Sequence, residues 1–158
     1  RQRQMCIRDR GGKERQDSVS NGAALCGDAE YIAVHDAARP FITPEEIETV
    51  CADAEKYGAA TLAVPVKDTI KVAAADGTVC ATPERSTLRA IQTPQVFRLS
   101  LYKEALCLAK NAGKQYTDDC QLIEAAGGKV YLTPGDYKNI KITTPEDLLV
   151  AEAFAAEK

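Results

Sequence analysis

The sequence predicts an α/β fold with a mainly parallel sheet, and three observations carry that expectation. Short apolar runs alternate with stretches of helical period, as in YIAVH, then the stretch after Pro44, then ATLAV. Two helical stretches open on one kind of start signal, Thr43-Pro44-Glu45-Glu46 and Thr144-Pro145-Glu146-Asp147. Glycines at 58, 113 and 127 stand where helical stretches run out. The 158 residues, 45% hydrophobic and 27% charged, suit one domain with a sizeable core.

Taken in order, residues 1–10 (RQRQMCIRDR) fit neither the helical nor the strand period. They hold four Arg and one Asp, a net +3, so the other 148 residues carry −6 against −3 for the whole chain. The stretch resembles translated adapter sequence and is set aside as an extraneous tail. Residues 11–158 are read as the C-terminal part of a single domain. Arg15 to Leu25 reads as a helix with Val19, Ala23 and Leu25 inward. Tyr31 to His35 is a strand that runs into the loop Asp-Ala-Ala-Arg-Pro. In the next helix Thr43 is the N-cap, Pro44 takes N1 and Glu46 closes a capping box. Its buried stripe is Ile47, Val50, Cys51 and Ala54.

Ala60 to Val64 is the next strand, stopped by Pro65. Thr69 to Ala73 and Thr78 to Thr82 flank Asp76-Gly77, a hairpin signal. With charged and polar residues on both sides, this reads as an arm near 66–92 that projects from the sheet. Leu88 to Phe97 holds an extended piece around Pro94. Leu101 to Ala112 and Asp118 to Ala126 are helices, Lys129 to Leu132 a strand and Asn139 to Ile142 a further extended piece. The last helix runs to about Ala155.

Composition excludes some classes of function. No apolar run reaches the ~18 residues of a membrane helix, and the first residues lack a signal h-region. A net charge of −3 without a basic stripe argues against nucleic acid as a partner. The six cysteines include no CxxC, the closest pair being Cys107 and Cys120, and His35 is the one histidine. No zinc spacing follows. Five of the six cysteines sit among apolar residues and read as buried free thiols of a reducing cytoplasm. Asp118 and Asp119 read as a helix cap and dipole partners rather than a metal pair. His35 reads as a packing residue at a strand end.

In open α/β sheets, ligands bind beyond the carboxyl ends of the strands. Asp36 and Arg39 follow YIAVH there, Thr69 and Lys71 follow LAVPV, and Lys141 follows Pro134-Gly135-Asp136. In an acidic chain, loop cations such as Arg39, Arg85 and Lys141 suit phosphate groups, and an Asp among them suits a divalent cation bridging those phosphates. Gly11-Gly12 ahead of the first helix fits either a ligand approaching backbone N–H groups or an ordinary turn. It is neither a GxGxxG nor a P-loop.

Six motifs, in one order, resemble the 2-C-methyl-D-erythritol 4-phosphate cytidylyltransferase family: GGxxRxxSV (11–19), VHDAARP (34–40), PVKDTIK (65–71), ERx7TPQxF (84–97), TDD (117–119) and NIKITTPEDL (139–148). The resemblance implies a Rossmann-like nucleotidyltransferase sheet with a projecting β-arm. It implies transfer of CMP from CTP to methylerythritol phosphate with release of pyrophosphate, in non-mevalonate isoprenoid biosynthesis, with Mg²⁺ on the nucleotide phosphates.

Carried over to this chain, Gly12 and Ser18 contact cytidine, and Asp36 and Ala37 lie at the ribose and phosphates, with Asp36 at the metal. Arg39, Thr69, Arg85, Thr93, Thr117 and Lys141 hold the polyol phosphate. Arg85, Lys141 and Asp36 are the catalytic candidates. The resemblance also implies a cytoplasmic homodimer in which the arm brings Thr69 and Arg85 to the partner's site. The family's first strands and its Gly-rich phosphate loop with Arg and Lys have no counterpart here, a shortfall of roughly 60–80 residues at ~30 per βαβ unit. The chain alone is therefore expected to be inactive, and near-normal pyrophosphate release from CTP and methylerythritol phosphate would overturn that. Alternatives are a ribitol-phosphate or other polyol-phosphate cytidylyltransferase and a non-enzymatic α/β dimerisation module. The Ala37-Ala38 pair looks more like the methylerythritol enzyme. The chain ends at Phe154-Ala-Ala-Glu-Lys158 without a trace of a fused second enzyme.

Overall fold

The computed structural model describes residues 15–156. The elements run α1 (Arg15–Ala24), β1 (Tyr31–Val34), α2 (Pro44–Tyr57), β2 (Ala59–Pro65), β3 (Val72–Ala73), β4 (Val79–Ala81), β5 (Arg89–Arg98), α3 (Leu99–Asn111), α4 (Asp119–Ala125), β6 (Tyr131–Pro134) and α5 (Pro145–Ala156). A short 3-10 turn covers Arg85–Thr87. Among the described residues no helix is long and apolar enough to cross a membrane.

Four strands form one sheet in the order β1-β5-β2-β6. β1, β2 and β6 share a direction, and β5 runs against them between β1 and β2. The expected mainly parallel sheet is corrected: three of the four described strands share a direction, but two of the three pairings are antiparallel and only β2–β6 is parallel. The reason is the excursion after β2. The chain leaves through the β3–β4 hairpin and returns beside the strand it left, which needs no crossover helix.

Period-two alternation sorts the core onto two faces. Ala60, Leu62 and Val96 pack under Val50 and Ala54 of α2. Ala59 and Phe97 face the other way, toward Tyr102 and Ala105 of α3 and Leu122 and Ile123 of α4, with Ala23 of α1 completing that cluster. β2 is buried from Ala59 to Val64, as a central strand covered on both faces must be.

The capping box at Thr43 is present: its side chain accepts from Glu46 N at 3.2 Å, and Glu46 Oε2 accepts from Thr43 N at 3.1 Å. Gly77, at φ +85°, closes the arm turn, donating to Ala74 O at 3.0 Å while Asp76 Oδ1 accepts from Thr78 N. An L residue would be strained there. The β3–β4 hairpin forms its own two-stranded sheet and leaves Val72 and Val79 exposed.

Several expectations need correction. Ile47 is exposed, because only the later turns of α2 meet the sheet, and Leu25 lies exposed just past the end of α1. Of the described cysteines, Cys120 alone is buried; Cys26 and Cys51 are half-buried, while Cys80 on the arm and Cys107 on α3 are exposed. Burial pushes the Cys120 thiol far above its ordinary range, which makes it inert. Asn139 to Ile142, expected as an extended piece, joins no sheet: it crosses the strand ends, and its backbone bonds go to Asp136, Lys138, Ala38 and Arg39. Cys6 and the opening tail lie outside the described residues.

Candidate functional site

β1 ends at Val34, and the chain turns at once: Arg39 N donates to Asp36 O at 3.0 Å. That turn stands at the carboxyl ends of the co-directional strands. Beside it, β5 breaks its ladder. Thr61 pairs with Gln95 but Ala63 with Ile91, so Gln92, Thr93 and Pro94 bulge out of the β2 register. Pro94 has no N–H to give to a ladder, and a bulge re-aims the neighbouring side chains. The Thr93–Pro94 peptide is cis. Thr93 Oγ1 accepts from Asp36 N at 3.0 Å.

The loop after β6 reaches the same place. Lys141 Nζ lies 3.1 Å from Asp36 Oδ2, and Arg39 Nε lies 3.4 Å from the same oxygen. Arg39 also donates to Asn139 O at 2.7 Å, and Ile142 N donates to Ala38 O at 2.8 Å. Partial burial of the Asp36 carboxyl acts to raise its pKa. The hydrogen bond and charge of Lys141, then the charge of Arg39, outweigh it, and the pKa falls below its ordinary value. Asp36 is therefore an anion at neutral pH between two cations. Half of the Lys141 side chain remains open to solvent at 46% exposure, so an incoming anion can reach it.

His35 is corrected from packing residue to polar link. It is exposed, with Nδ1 3.0 Å from Thr93 Oγ1 and Nε2 3.2 Å from Arg39 O. With the ring proton on Nε2 both contacts are satisfied, Nε2 donating to Arg39 O and Nδ1 accepting from Thr93 Oγ1. The expectation failed because a single His in an apolar run carries no sign of the loop it will face.

The other sequence candidates stand as follows. Ala37 is exposed in the Asp36 turn, and Ser18 lies exposed on α1. Thr117, ahead of α4, donates to Gln121 Oε1 at 3.1 Å. Asp118 caps α4, accepting from Cys120 N and Gln121 N, and Asp119 is buried and accepts from Tyr102 Oη, so the structural reading of both fits. Gly12 lies outside the described residues. Thr69 and Arg85 are on the arm: Arg85 donates to Lys67 O at 3.2 Å and borders a separate depression with Glu84, Ser86 and Arg89. Among the described residues no hydrogen bond or ion pair ties Thr69 or Arg85 to Asp36, Arg39 or Lys141.

Sequence reasoning missed Gln92 and Asn139. Both are buried polar residues at this site, and both sit inside quoted motifs, TPQ being preceded by Gln92 and NIKI opened by Asn139. Neither residue type signals it: Asn139 stands between Lys138 and Ile140-Lys141, and Gln92 between Ile91 and Thr93, among other polar residues. Among the described residues no group of three or more His, Cys, Asp or Glu could cage a metal. One ionised carboxylate beside cation-lined space instead fits Mg²⁺ held jointly by a protein oxygen and substrate phosphates. The whole arrangement can hold a phosphate monoester on Lys141 and Arg39 while Asp36 shares a cation with a second phosphorylated ligand.

Comparison with known proteins shows the family and the fold. The family described as 2-C-methyl-D-erythritol 4-phosphate cytidylyltransferase matches residues 3–157, a match that starts within the opening stretch. A protein of that name from Bacillus cereus is 54% identical over 144 residues, which is 91% of this chain and 63% of the relative. The chain thus spans less than two thirds of that relative's length. The crystal structure of the Thermus thermophilus enzyme of the same name is 36% identical, with a TM-score of 0.83 over 92% of this chain and 71% of that one. A 4-diphosphocytidyl-2C-methyl-D-erythritol synthase from Anaerococcus prevotii is 35% identical, with a TM-score of 0.85 over 92% of this chain and 68% of that one.

Proposed function

As the chain belongs to the 2-C-methyl-D-erythritol 4-phosphate cytidylyltransferase family, we propose that the whole protein transfers CMP from CTP to methylerythritol 4-phosphate. A phosphate oxygen of the alcohol phosphate attacks the α-phosphorus of CTP in line. The bond from the α-phosphorus to the bridging oxygen breaks, and pyrophosphate leaves with that electron pair. Two anions must approach each other, so placed positive charge carries most of the catalysis.

The observation that carries this reading is the convergence of Arg39 and Lys141 on Asp36 beside Thr93. Lys141 and Arg39 hold the attacking phosphate, and Lys141 offsets charge at the reacting phosphorus. Thr93 orients the Asp36 turn through the Asp36 N–H. Asp36 would hold Mg²⁺ together with CTP phosphates, and that ion, when bound, neutralises charge on the triphosphate and on departing pyrophosphate. Ala37 and Ser18, with Gly12, take the nucleotide side, and Thr117 lies at the alcohol. The free thiols of the described cysteines support a reducing, cytoplasmic setting.

The exposed arm supports a homodimer. Val72 and Val79, at 47% and 60% exposure, give a second copy an apolar contact. In that assembly Thr69 and Arg85 serve the partner's site, which accounts for their place away from Asp36. Residues 11–158 act as one domain with this arm.

The test has two parts. Calorimetric titration of the chain with methylerythritol 4-phosphate is expected to show binding that is stronger than for ribitol 5-phosphate. Lys141→Ala and Arg39→Ala are each expected to weaken it about tenfold or more, the loss of a charge-assisted contact. Coupled pyrophosphate release from CTP by the whole protein then reads turnover. Absence of binding, or equal binding by both variants, overturns the proposal.

A further inference from the structure

Residues 135–142 are the part of the site that no strand or helix places. They must pass from β6 at one edge of the sheet to Asp36 beyond β1 at the other, about 14 Å at ~4.8 Å per strand. A loop of that reach, left to itself, samples many positions for Lys141.

Hydrogen bonds pin it at every strand it crosses. Over β2, Gly135 N donates to Ala63 O at 2.9 Å. Over β5, Gln92 Nε2 donates to Asp136 O at 2.8 Å, and Asn139 Nδ2 donates to Thr93 O at 3.0 Å. At β1, Arg39 donates to Asn139 O at 2.7 Å and Ile142 N to Ala38 O at 2.8 Å. Asn139 is the middle rung. Its side chain grips the β5 bulge, its carbonyl holds Arg39, and Lys141 follows two residues later.

Asn139 is fully buried, with Gln92 Oε1 3.5 Å from Nδ2, and its Oδ1 has no hydrogen-bond partner among the described residues. An orphaned buried acceptor is unfavourable, and an apolar residue of similar volume would avoid it. The one hydrogen bond the amide clearly makes is therefore the one from Nδ2 to Thr93 O, which ties the loop to the β5 bulge. The amide supplies a fixed direction between the Thr93 carbonyl and the loop that bears Lys141.

We infer that Asn139, braced by Gln92, is a positioning residue that sets where Lys141 and Arg39 stand relative to Asp36 and so governs how tightly the site holds a phosphate monoester. This rests on the phosphate-binding reading above, but the placement itself can be measured without any substrate.

The experiment compares the chain with Asn139→Ala by amide hydrogen exchange and by titration with methylerythritol 4-phosphate. Exchange at the Ile142 amide is expected to rise about tenfold, as one buried hydrogen bond is lost, while Ala60 and Val96 in the sheet exchange as before. The dissociation constant for methylerythritol phosphate is expected to rise about tenfold, and Asn139→Ala is expected to cost clearly less when Lys141 is already Ala, since only Arg39 is then left to misplace. Faster exchange throughout the sheet, unchanged exchange at Ile142, or an equal loss of binding in both backgrounds overturns the inference. If Asn139→Ala does not fold, Gln92→Met removes the brace at similar volume and carries the same expectations. If the unmodified chain binds no alcohol phosphate, the functional reading falls, and the exchange comparison alone decides the positioning.

Discussion

Gly135 shows how one residue type can be dictated by its neighbours. A Cβ there would run into Gln92 Oε1 and stand 3.4 Å from Ala63 N. Gln92 has little room to yield, being 6% exposed and tied to Asp136 O. Gly135→Ala is expected to destabilise the chain by about 1–2 kcal/mol, as overpacked sites do. Urea denaturation checks it, and an unchanged midpoint would mean that Gln92 turns aside freely. The same neighbourhood explains which site residues were legible in the sequence. Asp36, Arg39 and Lys141 are charged residues in loops after strands, and charge in a loop is visible by type. Gln92 and Asn139 act through burial, which a residue's name does not disclose.

Among the elements, α5 illustrates a start signal that carries a pH dependence. Asp147 Oδ2 accepts from Thr143 N and Thr144 N, both at 2.8 Å, and from Thr143 Oγ1 at 3.0 Å. Those backbone hydrogen bonds, from Thr143 first and then Thr144, hold the Asp147 carboxyl below its ordinary pKa. A depressed folded pKa contributes stability above the unfolded value, and the contribution disappears as pH falls through the folded one. Asp147→Asn is therefore expected to be less stable than the unmodified chain at neutral pH, with the gap closing below about pH 4. Urea midpoints across a pH series measure this, and a gap that stays constant would contradict it. Both helix starts announced themselves through Thr-Pro because capping is local chemistry. The extended piece at Asn139–Ile142 joins no ladder, because its backbone bonds turn back within its own loop and reach across to Ala38 and Arg39.

For the molecule as a whole, the exposed β3–β4 arm makes assembly the testable property. Light scattering after size exclusion is expected to report a dimer. A variant with residues 70–81 replaced by Gly-Gly is expected to be a monomer with an unchanged sheet signal by circular dichroism. A monomeric unmodified chain would overturn the arm's proposed role. The arm was readable from Asp76-Gly77, since a tight turn closed by a glycine needs only its own residues. The direction of β5 was not readable. An extended stretch around a proline pairs equally well with either neighbour until the hairpin decides which way the chain returns.

Helix boundaries, caps, turns, the α/β alternation and the ordered motifs all follow from residues within a few positions of one another, so they can be read along the chain. Arg39 and Asn139 lie 100 residues apart, and what joins them is the strand order β1-β5-β2-β6 with a loop laid across its ends. That proximity, the bulge that turns Thr93 toward Asp36, and the burial of Gln92 and Asn139 depend on which strands lie side by side. Long-range packing sets those neighbours, and no local pattern encodes it.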